Sequence, residues 1–167
     1  MKDLLETPSI FLGLKNIEYF LFEEDFVEAN MRCIPMVIRF KLDLVRIKLK
    51  LAEWAKLSTD EKMTLALAPC ESTLDQDLYR HKLSQYIYSH MGYEPSELSL
   101  EKVNNDWSIN TRVPTIIQQK ANEFNWEVNL SQWAKLSELQ RFCLLKLTNP
   151  GHENKNFPIA MKEFGWI

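Results

Sequence analysis

Two five-residue runs are identical in this sequence: Trp54-Ala55-Lys56-Leu57-Ser58 and Trp133-Ala134-Lys135-Leu136-Ser137. Around them, residues 34–58 align without a gap onto residues 113–137, at a constant offset of 79 residues (113 minus 34). Nine of these 25 positions are identical. Ungapped identity around a shared tryptophan indicates a repeated structural unit. We therefore interpret the chain as two copies of one unit, over residues 34–67 and 113–146.

Each copy has the sequence pattern of a helix, a strand and a second helix. Pro35 and Pro114 suit a first helical turn, so a short helix is expected after each. Apolar and polar residues then alternate over 45–51 and 124–130, which is typical of half-buried strands. Ser58 and Ser137 precede a Glu or Gln by three residues, and this capping-box pattern predicts helices over 59–68 and 138–147. We expect Ser131 to cap a further turn that holds Trp133.

The stretch between the copies predicts one long helix over 74–91, ended by Gly92 in a left-handed conformation. Its apolar residues at near-helical spacing are Leu74, Leu78, Leu83, Ile87 and Met91. After the second copy, Pro158 is expected to open a last helix that ends at Gly165. The predicted fold class is mainly α with a small β element (α+β). It is an internally duplicated, pseudo-twofold arrangement in which the strands 45–51 and 124–130 can pair.

Composition limits the classes of protein that this chain can be. With 167 residues, 46% of them apolar, we predict one compact domain. The net charge of −3 excludes a globally basic surface for nucleic acid. The three cysteines favour reduced thiols, and no apolar run approaches the ~20 residues of a membrane span. We expect a cytoplasmic protein that binds neither nucleic acid nor membrane.

Residues with catalytic or metal-binding chemistry are scattered. The candidate ligands are Cys33, Cys70, Cys143, His81, His90 and His152. They lack the closely spaced pairs that are typical of structural zinc. Cys143 lies in an apolar run, which favours a buried, unreactive thiol. We therefore expect no catalytic residue, metal or cofactor, and favour an interaction protein over a carrier that handles a metal or cofactor through its free Cys and His, or over a small enzyme.

Two surfaces are candidates for binding a partner. Arg46, Lys48 and Lys50 form the polar face of the first predicted strand, whereas the second copy has Asn125, Glu127 and Asn129 there. This basic face suits phosphate or an acidic protein surface, although charge also protects an exposed strand edge from aggregation. The polar loop over residues 151–154 is the second candidate, because loops at a turn often carry recognition residues.

Several motifs together resemble the nitrate-reductase-associated protein family, over roughly residues 20–167. They are Phe22-Glu23-Glu24-Asp25-Phe26, Arg32-Cys33-Ile34-Pro35-Met36, Arg39-Phe40-Lys41-Leu42-Asp43, Gln132-Trp133-Ala134-Lys135-Leu136-Ser137, Gln140-Arg141-Phe142 and Gly151-His152-Glu153-Asn154. The resemblance implies a small cytoplasmic accessory protein that supports the activity or assembly of assimilatory nitrate reductase, an enzyme with molybdenum cofactor and iron–sulfur centres. It implies no catalytic residue. It also implies a single domain over residues 22–167, preceded by an N-terminal extension over residues 1–21.

The partner implied by the resemblance is nitrate reductase itself. The residues expected to contact it combine the basic face with polar positions of the matching motifs. They are Arg32, Arg39, Lys41, Asp43, Arg46, Lys48, Lys50, Arg141, His152, Glu153 and Asn154.

Overall fold

The computed structural model describes residues 20–23, 31–150 and 155–167. Over these residues the chain is mainly helical and has a small two-stranded antiparallel sheet, which confirms the predicted mainly α class. Its contacts divide it into two compact units. The first contains Glu23 and residues 31–103, and the second contains residues 20–22, 104–150 and 155–167. The single domain over residues 22–167 stays a prediction.

The first unit places a short sheet among helices. Its helices are α1 (Met36–Leu44), α2 (Leu51–Lys56), α3 (Thr59–Leu67) and α4 (Thr73–Met91). Strand β1 (Ile47–Lys48) pairs antiparallel with β2 (Ser96–Glu97), and Ile47 lies opposite Glu97. Helix α1 contacts β1 and α3, and α4 contacts α2 and α3. A 3-10 turn over Leu100–Lys102 follows β2.

The second unit is built around one buried helix. Its helices are α5 (Thr115–Asn122), α6 (Leu130–Lys135), α7 (Glu138–Leu147) and α8 (Phe157–Glu163). Helix α7 contacts α5, α8 and a 3-10 turn over Asp106–Ser108. Leu139 and the residues from Arg141 to Leu145 are all buried. Because α7 is covered on several sides, its neighbours form a shell around it.

Corresponding helices of the two units begin at the same offset of 79 residues. The pairs of first residues are Met36 and Thr115, Leu51 and Leu130, and Thr59 and Glu138. Pro35 and Pro114 stand immediately before α1 and α5, in the extended conformation of an N-cap residue. The predicted helices over 59–68 and 138–147 are confirmed by α3 and α7. Both predicted capping boxes are present, since each serine hydroxyl accepts the third helical N–H at 3.1 Å.

The two tryptophans of the identical runs are fully buried and hydrogen-bonded. The Trp54 indole donates to the Met31 carbonyl at 2.6 Å, and the Trp133 indole donates to the Ile109 carbonyl at 2.8 Å. A buried indole N–H needs such a partner. Each acceptor lies a few residues before the proline that precedes α1 or α5. Each tryptophan therefore anchors the chain that enters its unit to a short helix of that unit.

The predicted strand over 124–130 is wrong, and so is its pairing with 45–51. Residues 123–125 form a turn, with Asn125 at a positive φ of 59°, and Leu130 already begins α6. The Trp126 N–H donates back to the Ala121 carbonyl of α5 at 3.1 Å, which is the closure of a helical C-cap. The alternating apolar residues serve ring packing, because Phe124 and Trp126 stack with centroids 5.2 Å apart.

Two details of the first unit and of α6 also differ from expectation. The strand predicted over 45–51 is confined to Ile47–Lys48, because Arg46 takes a positive φ of 56° and Leu51 begins α2. The cap of α6 is Asn129, whose side chain accepts the Gln132 N–H at 2.9 Å; the expected cap, Ser131, lies inside the helix.

The long helix predicted over 74–91 is confirmed by α4, and Gly92 ends it at a φ of 76°. Its predicted apolar face is partly wrong. Tyr79, Leu83 and Ile87 are buried, since residues at intervals of four share one side of a helix. Leu74 and Leu78 point to the other side and are 67% and 58% exposed.

Replacement of Trp54 by Phe is expected to lower the free energy of unfolding by about 1–3 kcal/mol, because the buried Met31 carbonyl loses its donor. Urea denaturation followed by circular dichroism measures the change. Tyr86→Phe is the control, since among the described residues the Tyr86 hydroxyl has no hydrogen-bond partner. Equal stability of the two variants would contradict the anchoring role.

The Glu61 carboxylate in the first turn of α3 is expected to make the free energy of unfolding vary with pH in the acid range. Although burial raises the pKa of Glu61, hydrogen bonds from Ser58 and His90 outweigh it and lower that pKa below 4.5. A carboxylate whose pKa is lower in the folded state than in the unfolded state stabilises the fold at a pH above its unfolded-state pKa. This stabilisation is lost as the pH falls through the folded-state pKa.

Glu61→Gln should therefore reduce stability by about 0.5 kcal/mol at neutral pH, and the difference should vanish in acid. Urea denaturation at a series of pH values measures it, with the exposed Glu101→Gln as control. A difference that persists or grows in acid would contradict the sign of the effect.

Candidate functional site

The candidate site of the first unit is the basic turn, defined as Arg46, Lys48 and Lys50, which connects α1 to α2. It is held by neighbouring elements rather than by its own charges. The Arg80 guanidinium of α4 donates to the Val45 carbonyl at 2.7 Å and pairs with Glu97 of β2. The Leu98 N–H donates to the Arg46 carbonyl at 2.9 Å. Backbone contacts from two sides therefore fix the turn, in which Lys48 and Lys50 are exposed and Arg46 is half-buried.

Arg46 stands in a backbone conformation that costs an ordinary residue free energy. Its φ is 56°, in the left-handed region that Asn tolerates better than most residues. The second unit has Asn125 at the corresponding position, with a φ of 59°. The Arg46 Nε atom is buried and has no hydrogen-bond partner among the described residues. The first unit thus has an arginine at a strained backbone position, and one nitrogen of its guanidinium lacks a hydrogen-bond partner among the described residues.

The other two cations of the basic turn differ in their freedom. Lys48 is exposed on β1 and makes no side-chain ion pair with another described residue. Lys50 is also exposed, but its Nζ lies 3.8 Å from the Glu53 carboxylate and 5.8 Å from the centre of the Tyr93 ring. Glu53 is itself fully buried and accepts the Tyr93 hydroxyl at 3.1 Å. Lys48 is therefore available to a partner, and Lys50 can turn toward one.

The remaining predicted residues of the first unit are less available. Arg32 is exposed and Asp43 is half-buried. The Arg39 Nε donates to the Ile34 carbonyl at 2.9 Å. Lys41 donates to the carbonyls of Ala66 and Ala68 at 2.7 and 2.6 Å, so its ammonium closes the C-terminal end of α3.

In the second unit, the prediction that Arg141 is a surface residue is wrong. Only 5% of it is exposed, and its guanidinium donates to the carbonyls of Trp107 and Leu136. It therefore holds the 3-10 turn and the start of α7 together. The three other predicted residues of this unit, His152, Glu153 and Asn154, lie outside the described residues.

A buried cluster of Lys41, Cys70 and Tyr79 lies behind the first unit's surface, and sequence reasoning missed it because its members come from three separate segments. The Lys41 Nζ is 5.8 Å from the centre of the Tyr79 ring. Burial raises the pKa of the Cys70 thiol to about 11 and also raises the pKa of Tyr79. Burial lowers the pKa of Lys41, against the attraction of Cys70 and Glu71. The thiol is therefore protonated at neutral pH.

Metal ligation needs deprotonated thiols in a group with other donors. Within residues 20–23, 31–150 and 155–167, no three His, Cys, Asp or Glu side chains come together as a metal site would require. Cys70 and Cys143 are buried and Cys33 is half-buried, and all three are free thiols. In the same described ranges, no helix has the length and apolar character to cross a membrane.

Comparison with known protein families gives a match over most of the chain. The model of a family described as conserved nitrate reductase-associated protein matches residues 19–164. No curated protein and no solved structure matches the chain. The match includes the basic turn and the helices of both units, and it confirms the resemblance seen in the sequence.

Alkylation of the native protein should distinguish its thiols. With a pKa of about 11 instead of 9.0, Cys70 has about a hundredfold less thiolate at neutral pH than an ordinary cysteine. We expect iodoacetamide to modify the half-buried Cys33 first and Cys70 at least about a hundredfold more slowly. Peptide mass spectrometry measures both rates, and urea-unfolded protein is the control. Equal rates in the native protein would contradict the buried state of Cys70.

Proposed function

Because the chain belongs to the conserved nitrate reductase-associated protein family, we propose that it is an accessory protein that binds assimilatory nitrate reductase in the cytoplasm and supports its activity or maturation. In this proposal it acts by binding and has no catalytic step of its own. The family's description supports the association with nitrate reductase. The surface that supports binding is the basic turn of the first unit.

The observation that carries this proposal is the state of Arg46. A left-handed backbone costs a residue like arginine about 1 kcal/mol, which asparagine largely avoids. The buried Nε lacks a hydrogen-bond partner among the described residues, which adds a further cost. An acidic surface of a partner protein would attract the half-buried Arg46 together with the exposed Lys48 and Lys50.

We also propose that the two units are copies of one ancestral unit whose surfaces have diverged. The equal offsets of the helices, the two buried tryptophans and the left-handed turns at Arg46 and Asn125 support this. The copies differ where binding would occur, because the second has Asn125, Glu127 and Asn129 in place of three cations. In this interpretation one copy binds the enzyme and the other supports the fold.

The single replacement Arg46→Asn is expected to weaken binding to nitrate reductase without lowering the free energy of unfolding. Asparagine suits the left-handed backbone, so the free energy of unfolding should stay the same or rise by up to about 1 kcal/mol. Binding to purified nitrate reductase, measured by surface plasmon resonance, should weaken at least about tenfold. The reversal Arg46→Glu, Lys48→Glu and Lys50→Glu should abolish capture of the enzyme from cells grown on nitrate.

The matched control reverses two exposed lysines outside the basic turn, Lys102→Glu and Lys135→Glu, and should retain the enzyme. If both charge-reversed proteins capture nitrate reductase as well as the unmodified chain does, the basic turn is not the binding surface. If the unmodified chain itself captures none, the proposed association fails.

A further inference from the structure

Helix α4 has apolar residues on two opposite sides. At 100° per residue, Tyr79, Leu83 and Ile87 share the inner side, where none is more than 2% exposed. The opposite side bears a second line of residues, which we call the outer stripe. It consists of Leu74, Leu78, His81, Gln85 and Tyr88.

The outer stripe is open to solvent. Leu74 is 67% exposed, and Leu78 and Tyr88 are each 58% exposed. A single exposed leucine is ordinary, but large apolar side chains aligned on one helix face are typical of a protein contact surface. The inner side already supplies the core of this unit, so packing within the unit does not account for the outer leucines.

A groove lies beside this stripe. It has a volume of about 270 Å³, and its lining includes Ala68, Pro69, Leu78 and Tyr79 beside the charged Asp75 and Lys82. Its walls are largely apolar, and its floor is the buried Tyr79. A groove of this size next to exposed leucines accepts an apolar side chain from a packed helix.

The charges beside the outer stripe are complementary to those on the same edge of a second copy of the chain. Asp75 and Lys82 are seven residues apart, so they lie on the same edge of α4. Lys82 is exposed and forms no ion pair with another described residue. When two identical helices pack antiparallel about a twofold axis, the same edge of each helix faces its counterpart. The two facing edges run in opposite directions. Asp75 of each copy then faces Lys82 of the other.

We propose that the outer stripe is the contact surface of a homodimer, in which the α4 helices of two copies pack antiparallel. The twofold axis passes near Leu78, so the two Leu78 side chains meet. Leu74 of each copy approaches the groove of the other near Gln85. The two Asp75–Lys82 pairs flank this apolar centre, and they favour the antiparallel direction because parallel packing would place this edge of one helix against the opposite edge of the other and lose both pairs.

Sedimentation equilibrium of the full chain tests the dimer directly. The unmodified protein should shift with concentration from the 19.7 kDa chain mass toward twice that mass. Leu78→Glu should raise the dissociation constant at least about tenfold, because it buries a carboxylate beside its own copy at the axis. Lys82→Glu should weaken the dimer and reverse its dependence on salt, since it replaces attraction to Asp75 by a repulsion that salt screens.

Two variants serve as matched controls. Leu100→Glu changes another exposed leucine, 69% exposed, and Lys102→Glu changes another exposed lysine; both should leave the dissociation constant unchanged. Circular dichroism establishes that each variant is folded, as expected for substitutions at exposed side chains.

A protein that stays at the chain mass at every concentration would overturn the proposal, and so would a dimer that Leu78→Glu leaves intact. If the chain is monomeric and Leu78→Glu instead abolishes capture of nitrate reductase, the stripe binds that enzyme and the homodimer is rejected. Because the basic turn is unchanged in these variants, the outcome is independent of the Arg46 test.

Discussion

The indole N–H of the repeated tryptophan is buried in both units, and in both it donates to the backbone just upstream of the first helix. Trp54 and Trp133 sit on helices of only six residues, which are too short to be stable alone. Each indole bond joins such a helix to the entering chain, and the prolines then direct α1 and α5 away from that point. The serine caps of α3 and α7 begin within a few residues of the anchors. The placement of the remaining helices depends on this contact.

Buried polar side chains make hydrogen bonds to backbone N–H and C=O groups that have no partner within their own helix. The Glu23 carboxylate accepts the Met36 N–H at 2.7 Å, which supplies α1 with the cap that Pro35 lacks. Lys41 closes the end of α3, and Arg141 joins the start of α7 to the 3-10 turn. These charged residues look like surface positions in a sequence. Their hydrogen bonds show that a polar residue type alone does not distinguish a binding residue from an internal brace.

The part of the fold that sequence predicts well is the part determined by local interactions. Capping boxes at Ser58 and Ser137 and the left-handed Gly92 act over three or four residues, and the helices they bound were predicted almost to the residue. The strand over 124–130 failed because its alternating pattern is also compatible with a loop whose rings stack on each other, and the alternation does not reveal that the Trp126 N–H closes the end of α5. The exposure of Leu74 and the burial of Arg141 likewise depend on neighbours that are distant in sequence. For the same reason, the basic turn could be found from its pattern, but the strained backbone at Arg46 could not.

The distribution of tryptophans has a spectroscopic consequence. Of the five in the chain, Trp54 is the only one within residues 23–103, whereas Trp107, Trp126, Trp133 and Trp166 belong to the second unit. The Lys62 ammonium lies 5.0 Å from the centre of the Trp54 ring, and the ring is fully shielded from water. Its emission therefore arises from one defined, dry environment. The contribution of this fluorophore to the emission would report the loosening of the first unit alone.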